Sequence, residues 1–115
     1  MKYAILIYQN AQDTAACGTD PERAQDWPRY SKLLKEAGVP VDGIPLQTPA
    51  NATRLSFRNG ERLVQDGPYA DTKEQLGGLI IIDVPDLDTA ISWAARIPHS
   101  AERVYEIRPV GTLPS

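Results

Sequence analysis

The chain has 115 residues, of which 42% are hydrophobic and 23% charged, with a formal net charge of −3 and a pI near 5.0. This composition is typical of one soluble globular domain, here residues 1–115. The acidic balance argues against a nucleic-acid partner, because few cations are present to neutralise phosphates.

The cysteine and histidine content restricts the chemistry further. Cys17 is the only cysteine, so an internal disulfide is excluded, which fits a reducing cytoplasm. With His99 as the only histidine, the chain shows no metal-ligand spacing, and it contains no glycine-rich phosphate-binding pattern. The apolar run at residues 3–8 is too short for a signal peptide or a membrane span. We therefore expect a cytoplasmic protein without a metal, a nucleotide cofactor or a membrane partner.

The first predicted elements are a strand and a helix. Residues 2–8 predict an inner strand because both of its faces are apolar: Tyr3, Ile5 and Ile7 on one, Ala4, Leu6 and Tyr8 on the other. Residues 9–19 predict a loop. A helix is predicted to begin at Asp20-Pro21 and to restart or kink at residues 26–28. Its apolar stripe is Tyr30, Leu33, Leu34 and Ala37, and Gly38 ends it.

The middle of the chain predicts a sheet edge and a hairpin. Residues 41–47 are extended but contain Gly43 and Pro45, which favours an edge strand. Residues 53–58 alternate between polar and apolar side chains, and residues 61–65 form a second strand-like run. The Asn59-Gly60 dipeptide between them favours a type I′ hairpin turn.

The last third predicts a strand, a helix and a strand. Residues 77–84 form a second continuously apolar run, and Asp86 caps the next helix. The apolar face of that helix is predicted to carry Leu87, Ala90, Ile91, Ala94 and Ile97. Residues 104–108 alternate as a final strand. This order predicts an α+β ferredoxin-like sandwich with an inserted β-hairpin, in which the second sheet face needs a partner subunit as cover.

The stretch from Asp66 to Gly78, D-G-P-Y-A-D-T-K-E-Q-L-G-G, resembles the signature of the YCII-related family with a DGP-[FY] motif. Flanking pieces agree, among them Lys2-Tyr3, Ala37-Gly38 and the segments at 84–88, 93–96 and 106–110. The resemblance implies a bacterial homodimer in which two ferredoxin-like sheets pack face to face as a dimeric α/β barrel. Some relatives use a His–Asp pair for lyase or dehydrochlorinase chemistry, and this chain departs from them because His99 lies far from the motif.

The motif supplies the candidate catalytic residues, which are Asp66, Lys73 and Glu74. The rigid Gly67-Pro68 corner fixes the Asp66 carboxylate, as proton transfer would require; alternatively, Asp66 caps its own turn. Lys73 and Glu74 either face a pocket or form a solvated pair. Seven further side chains are candidates for ligand binding, with core packing or surface exposure as the alternatives: Tyr8, Trp27, Tyr30, Arg58, Tyr69, Gln75 and Arg108.

Two functions from different classes fit these residues. The first is a small cofactor-free enzyme of lyase or isomerase type that acts on a small anionic or aromatic substrate. The second is a non-catalytic ligand-sensing or accessory protein, which the resemblance associates with an extracytoplasmic-function sigma factor. A purely structural homodimer is a third, less attractive because of the polar motif.

Overall fold

A computed structural model describes residues 1–10, 26–69, 74–98 and 103–112. Its strands are β1 (Lys2–Asn10), β2 (Pro40–Pro45), β3 (Thr53–Arg58), β4 (Glu61–Asp66), β5 (Glu74–Asp83) and β6 (Val104–Pro109). Its helices are α1 (Asp26–Ala37) and α2 (Leu87–Ala95), with a short 3-10 turn at Pro49–Asn51.

The main sheet has four strands in the order β2-β5-β1-β6, and every neighbouring pair is antiparallel. Since β5 lies between β1 and β2, those two strands run parallel with α1 connecting them. In the same way β1 separates β5 from β6, which α2 connects. Two such split βαβ units in an antiparallel sheet are consistent with the ferredoxin-like fold predicted from the sequence.

The core lies between this sheet and the two helices. Tyr3, Ile5 and Ile7 of β1 are buried on that side, as predicted, together with Ile82 of β5. The helices contribute Tyr30, Leu34, Ala90, Trp93 and Ala94. These buried residues form one apolar cluster, so the contact between the sheet and the helices is the hydrophobic core of the described residues.

The opposite sheet face, called here the open face, carries the alternate residues of the same strands. Ala4, Leu6 and Tyr8 of β1 share it with Leu79 and Ile81 of β5, and all five are half-buried. Ile44 of the edge strand β2 joins them through its pairing with Leu79. The molecule measures only 18 Å in its smallest dimension, which leaves room for one sheet and one helix layer. None of the described elements covers the open face.

Both predicted helix stripes were wrong in part. On α2, Leu87 and Ile91 are exposed, whereas Trp93 is buried. The buried positions 90, 93, 94 and 97 follow helical spacing. Because Trp93 lies on the buried face of α2, Leu87 and Ile91 lie toward solvent.

On α1, Tyr30 and Leu34 are buried, but Leu33 and Ala37 are exposed. The described helix begins at Asp26, the second predicted start, and the first predicted start at Asp20-Pro21 lies outside the described residues.

Strand β5 begins earlier than predicted. The sequence predicted a strand from Gly77, but β5 starts at Glu74, because Glu74 and Gln75 pair with Asn10 and Gln9 of a longer β1. The final part of the motif, residues 74–78, therefore belongs to the sheet.

Strands β3 and β4 form a separate two-stranded sheet, called here the arm. Asn59 and Gly60 at its tip have φ values of 53° and 81°, the two positive angles that a type I′ turn requires. The arm follows the Pro49–Asn51 turn and exposes every residue of β4.

Within the described ranges, no helix is long and apolar enough to cross a membrane.

Helix α2 begins with a capping carboxylate that generates a testable pH dependence. The Oδ1 atom of Asp86 accepts hydrogen bonds from the Thr89 hydroxyl at 2.6 Å and the Thr89 N–H at 2.8 Å. These bonds, the side-chain one first, lower the pKa of Asp86. A depressed folded-state pKa adds stability above the unfolded value, and that stability is lost as the pH falls through the folded value.

We therefore expect Asp86→Asn, which keeps an acceptor but no charge, to be less stable than the wild type at pH 7. The difference in the free energy of unfolding should disappear as the pH falls below about 4, where the Asp86 carboxyl becomes protonated in the unfolded and then in the folded state. Urea unfolding between pH 2 and 7 measures it, with Asp88→Asn as the matched control in the same helical turn. A constant difference across this range would contradict a charged cap.

Candidate functional site

A cavity with a volume of about 860 Å³ lies between α1 and the edge strand β2. We call it the α1 pocket. Its floor is the apolar core surface of Ile7, Leu34 and Ile82, and exposed apolar side chains of β2 and the following residues form its outer wall: Val41, Ile44 and Leu46. An apolar cleft of this size can enclose a small organic molecule.

Aromatic side chains form the α1 wall of this pocket. The ring of Trp27, at the rim, meets Tyr30 edge to face at 5.7 Å between centroids, and Tyr30 meets Trp93 in the same manner at 6.2 Å. The Tyr30 hydroxyl donates a 2.8 Å hydrogen bond to the Trp93 carbonyl. Burial raises the pKa of Tyr30 to about 12, so this side chain stays neutral and is a wall, not a proton donor to a ligand.

Carboxamide side chains line the pocket at three positions, which are Gln9, Gln47 and Gln75. Gln9 and Gln75 are cross-strand partners in β1 and β5, and both line the cavity. Between them and the core, the register shifts so that Gly77 has no partner in β1. Such a bulge changes the direction in which neighbouring side chains point, and bulges are over-represented beside active sites. A Cβ on Gly77 would lie 2.7 Å from the Gln9 amide, so the missing side chain makes room for that amide.

The neighbouring glycine brings the outer wall into place. A Cβ on Gly78 would lie 2.8 Å from the carbonyl oxygen of Ile44 in β2. Beside it, the Leu46 N–H donates a 2.9 Å hydrogen bond to the Gly77 carbonyl. The glycine pair of the motif thus positions both the amide end and the β2 wall of the pocket.

The structure separates the first half of the motif from this pocket. Asp66 ends β4 with an exposed side chain, and Tyr69 is 87% exposed, so Tyr69 plugs no core. The turn after Asp66 is fixed by Gly67, whose φ is 102° and whose N–H donates to the Ala52 carbonyl at 2.8 Å. Arg54 of β3 donates to the Tyr69 carbonyl at 3.3 Å.

The second half of the motif leads into the pocket. Lys73 lies outside the described residues, as do His99 and Cys17. Glu74 is exposed at the first position of β5, directly before Gln75 in the pocket wall. Of the candidate residues, the structure therefore brings Trp27, Tyr30 and Gln75 together.

Tyr8 and Arg108 meet elsewhere, on the open face. Arg108 forms a 3.0 Å ion pair with Glu106, and the Tyr8 hydroxyl donates to the other Glu106 oxygen at 3.4 Å. The bond to Glu106 raises the pKa of Arg108. Arg58, the remaining candidate, is exposed beside the turn of the arm.

Sequence reasoning missed Gln9 and Glu106 as partners of the predicted residues. Gln9 follows an apolar run and resembles the start of a loop, so only the length of β1 reveals its pairing with Gln75. Glu106 could have been found from its alternation with Tyr105 and Ile107, which places it beside Arg108 on one strand face. In the part of the chain that the structure describes, no three His, Cys, Asp or Glu side chains cluster as metal ligands.

Comparison with known proteins adds two findings. The model of the YCII-related domain matches residues 1–113. An uncharacterised protein of Rhizobium meliloti (strain 1021) is 33% identical over 124 aligned positions, which cover 100% of both chains.

The glycine pair generates a prediction that separates its two roles. In Gly78→Ala the new methyl group meets the Ile44 carbonyl, which is backbone, so β2 must shift and the free energy of unfolding should fall by about 1–3 kcal/mol. In Gly77→Ala the methyl group meets the end of the flexible Gln9 side chain, so stability should fall less while the amide moves. Urea unfolding and the Gln9 side-chain NH₂ resonances measure the two effects.

Gly111→Ala is the matched control, because a Cβ there has open space around it. Equal losses of stability in Gly77→Ala and Gly78→Ala, or an unmoved Gln9 resonance, would contradict these separate roles.

Proposed function

Because the chain belongs to the YCII-related domain family, we propose that it is a homodimeric protein that binds a small, largely apolar ligand in the α1 pocket. The observation that carries this proposal is the pocket itself. A cavity of about 860 Å³ has an apolar floor, an aromatic rim and three lining carboxamides, those of Gln9, Gln47 and Gln75. Sites for small molecules typically combine a mainly apolar lining with a few placed polar groups.

The lining defines the class of ligand. Trp27 is 38% exposed at the rim, which leaves its ring available to pack against an aromatic group. The carboxamides of Gln9 and Gln75 can both donate and accept hydrogen bonds, so they suit an amide, a carboxylate or a carbonyl. Lys35 also lines the pocket and supplies a cation for an anionic substituent. The ligand is therefore an aromatic molecule with one polar or anionic end.

The ionisable groups favour binding over catalysis. Among the described lining residues only Lys35, Asp42 and the Tyr30 phenol ionise. Lys35 and Asp42 are exposed, and the Asp42 carboxylate accepts from the Gly43 N–H at 2.8 Å. Tyr30 is neutral and its hydroxyl already donates to Trp93. A cytoplasmic ligand-sensing or accessory protein, such as one that works with an extracytoplasmic-function sigma factor, fits this lining.

A second candidate is the cofactor-free lyase or isomerase. Its candidate base nearest the pocket is Glu74, the first residue of β5, which precedes the lining residue Gln75 in the chain. On this proposal Glu74 is the base and Lys73 holds an anionic substrate, whereas Asp66 lies on the arm and does not line the pocket. Glu74→Gln should then abolish turnover of a pocket ligand and leave its binding unchanged, and Asp66→Asn is the control. No turnover of any bound ligand would favour the sensor.

The proposed homodimer buries the open face. Leu6, Leu79 and Ile81 at its centre are only half-buried, and packing two such sheets face to face gives the dimeric α/β barrel. Obligate homodimer interfaces exceed about 1,600 Å² and are apolar at their centre, which fits these residues.

Ligand binding is tested by saturation-transfer NMR with benzamide, benzoate and toluene as probes. Benzamide and benzoate should bind more tightly than toluene, because only they present a hydrogen-bonding end to Gln9 and Gln75. Trp27→Ala and Gln75→Leu should each weaken benzamide binding about threefold to tenfold, the usual value of one such contact.

Leu33→Ala, at an exposed position of the same helix outside the pocket, and Gln65→Leu on the arm are the controls. Equal binding of all three probes, or equal losses in the control variants, would overturn the proposed site.

The homodimer is tested with Ile81→Asp, which places a charge at the centre of the open face. We expect the wild type to have twice the monomer mass in light scattering at micromolar concentration, and Ile81→Asp to be monomeric and less stable. Ile91→Asp is the control, because Ile91 is already 47% exposed on α2. A monomeric wild-type protein would contradict the barrel.

A further inference from the structure

The arm leaves one apolar face without a cover in the described residues. Cross-strand pairing places Leu55 opposite Val64 and Phe57 opposite Arg62, so these four side chains share one face. Leu55, Phe57 and Val64 are 53%, 70% and 54% exposed. A two-stranded hairpin is marginally stable by itself in water, so an arm that exposes large apolar side chains needs a surface to pack on.

Among the described residues, strands β3 and β4 pair only with each other. The Gly67 N–H bond to the Ala52 carbonyl closes the base of this hairpin and does not attach it to the main sheet. A second exposed apolar surface, the β2 wall, is formed by Val41, Ile44 and Leu46, which line the α1 pocket and are 47%, 51% and 42% exposed. It adjoins the open face, because Ile44 pairs with Leu79. The arm and the β2 wall are similar in chemistry and belong to different sheets.

Their charges are complementary. Arg62 lies on the apolar face of the arm, and Asp42 lies between Val41 and Ile44 on β2. Asp42 accepts a hydrogen bond from the adjacent Gly43 N–H through Oδ1, so its other oxygen remains available to a cation. An apolar contact with one opposite-charge pair at its edge fixes orientation as well as affinity.

We propose that the arm of each protomer packs on the β2 wall of a second copy of this chain, with Phe57 against Ile44 and Arg62 paired to Asp42. Under two-fold symmetry each copy gives one arm and receives one, so the contact is closed. Phe57 of one copy then completes the outer wall of the other copy's α1 pocket. The arm contact would add Phe57 to the proposed ligand site. Only this addition to the pocket wall rests on the proposed function; the contact between the copies does not.

The contact is tested first by disulfide trapping in a Cys17→Ser background. One preparation carries Phe57→Cys, the other carries Ile44→Cys and an affinity tag that increases its mass, and the two are mixed and oxidised. Because each chain has a single cysteine and only one of the two is tagged, a band of intermediate mass on non-reducing gels is the heterodimer and requires an arm on the β2 wall of another copy. Leu87→Cys, an exposed apolar position on α2, replaces Ile44→Cys in the control mixture. No heterodimer, or as much with Leu87→Cys, would overturn the proposal.

Charge reversal tests the pairing of Arg62 with Asp42. Arg62→Glu and Asp42→Arg should each weaken the dimer about threefold to tenfold in sedimentation at decreasing concentration, and the double variant should recover most of the loss. Arg58→Glu, on the opposite face of the arm, is the control. A double variant as weak as the sum of the two single variants would contradict the pair.

These results are separable from those for the ligand site. Trapping and charge rescue without binding of benzamide would reject the ligand proposal and retain the arm contact. If benzamide binds, Phe57→Ala should weaken it, whereas Leu63→Ala on the opposite face of the arm should not. Binding unaffected by Phe57→Ala would remove Phe57 from the pocket wall.

Discussion

The close approach of three strands at the glycine pair of β5 is the constraint on which the rest of the structure depends. At Gly78 the backbone of β2 comes so near that a methyl group would meet the Ile44 carbonyl, and at Gly77 the Gln9 amide occupies the space of a side chain. Gly78 therefore allows the edge strand to join the sheet. Gly77 lies at the register shift beside Gln9 and Gln75, which line the pocket. Fold and candidate site share one local cause.

A second feature, the one-sided helix layer, explains where the protein can interact. Both helices cover the face that carries Tyr3, Ile5 and Ile7, and the other face is left half-buried. The uncovered apolar surfaces of the described residues include the open face, the adjoining β2 wall and the arm. Because two of them belong to extended strands with opposite charges at their edges, association between copies can bury several surfaces at once.

The sequence was sufficient for the architecture because its strongest signals are local. The alternation in β1, the Asn59-Gly60 turn and the Asp86 cap each depend on a few neighbouring residues. The helix faces were harder to predict, since Trp93 rather than the smaller Ile91 sets the rotation of α2. The site was only partly predictable. Trp27, Tyr30 and Gln75 meet, but Gln9 joins them through strand pairing, and pairing partners far apart in the chain leave no local pattern.

The proline content of β2 has a consequence for solubility. The Leu46 N–H points toward β5, so by alternation the backbone nitrogens of residues 43 and 45 point outward along the free edge. Pro45 has no N–H, and the Gly43 N–H is already bonded to the Asp42 carboxylate. An incoming strand would thus find few donors along this edge, and growth of the sheet sideways into aggregates is discouraged. The edge strand that shapes the pocket also limits fibril-like stacking of the protein.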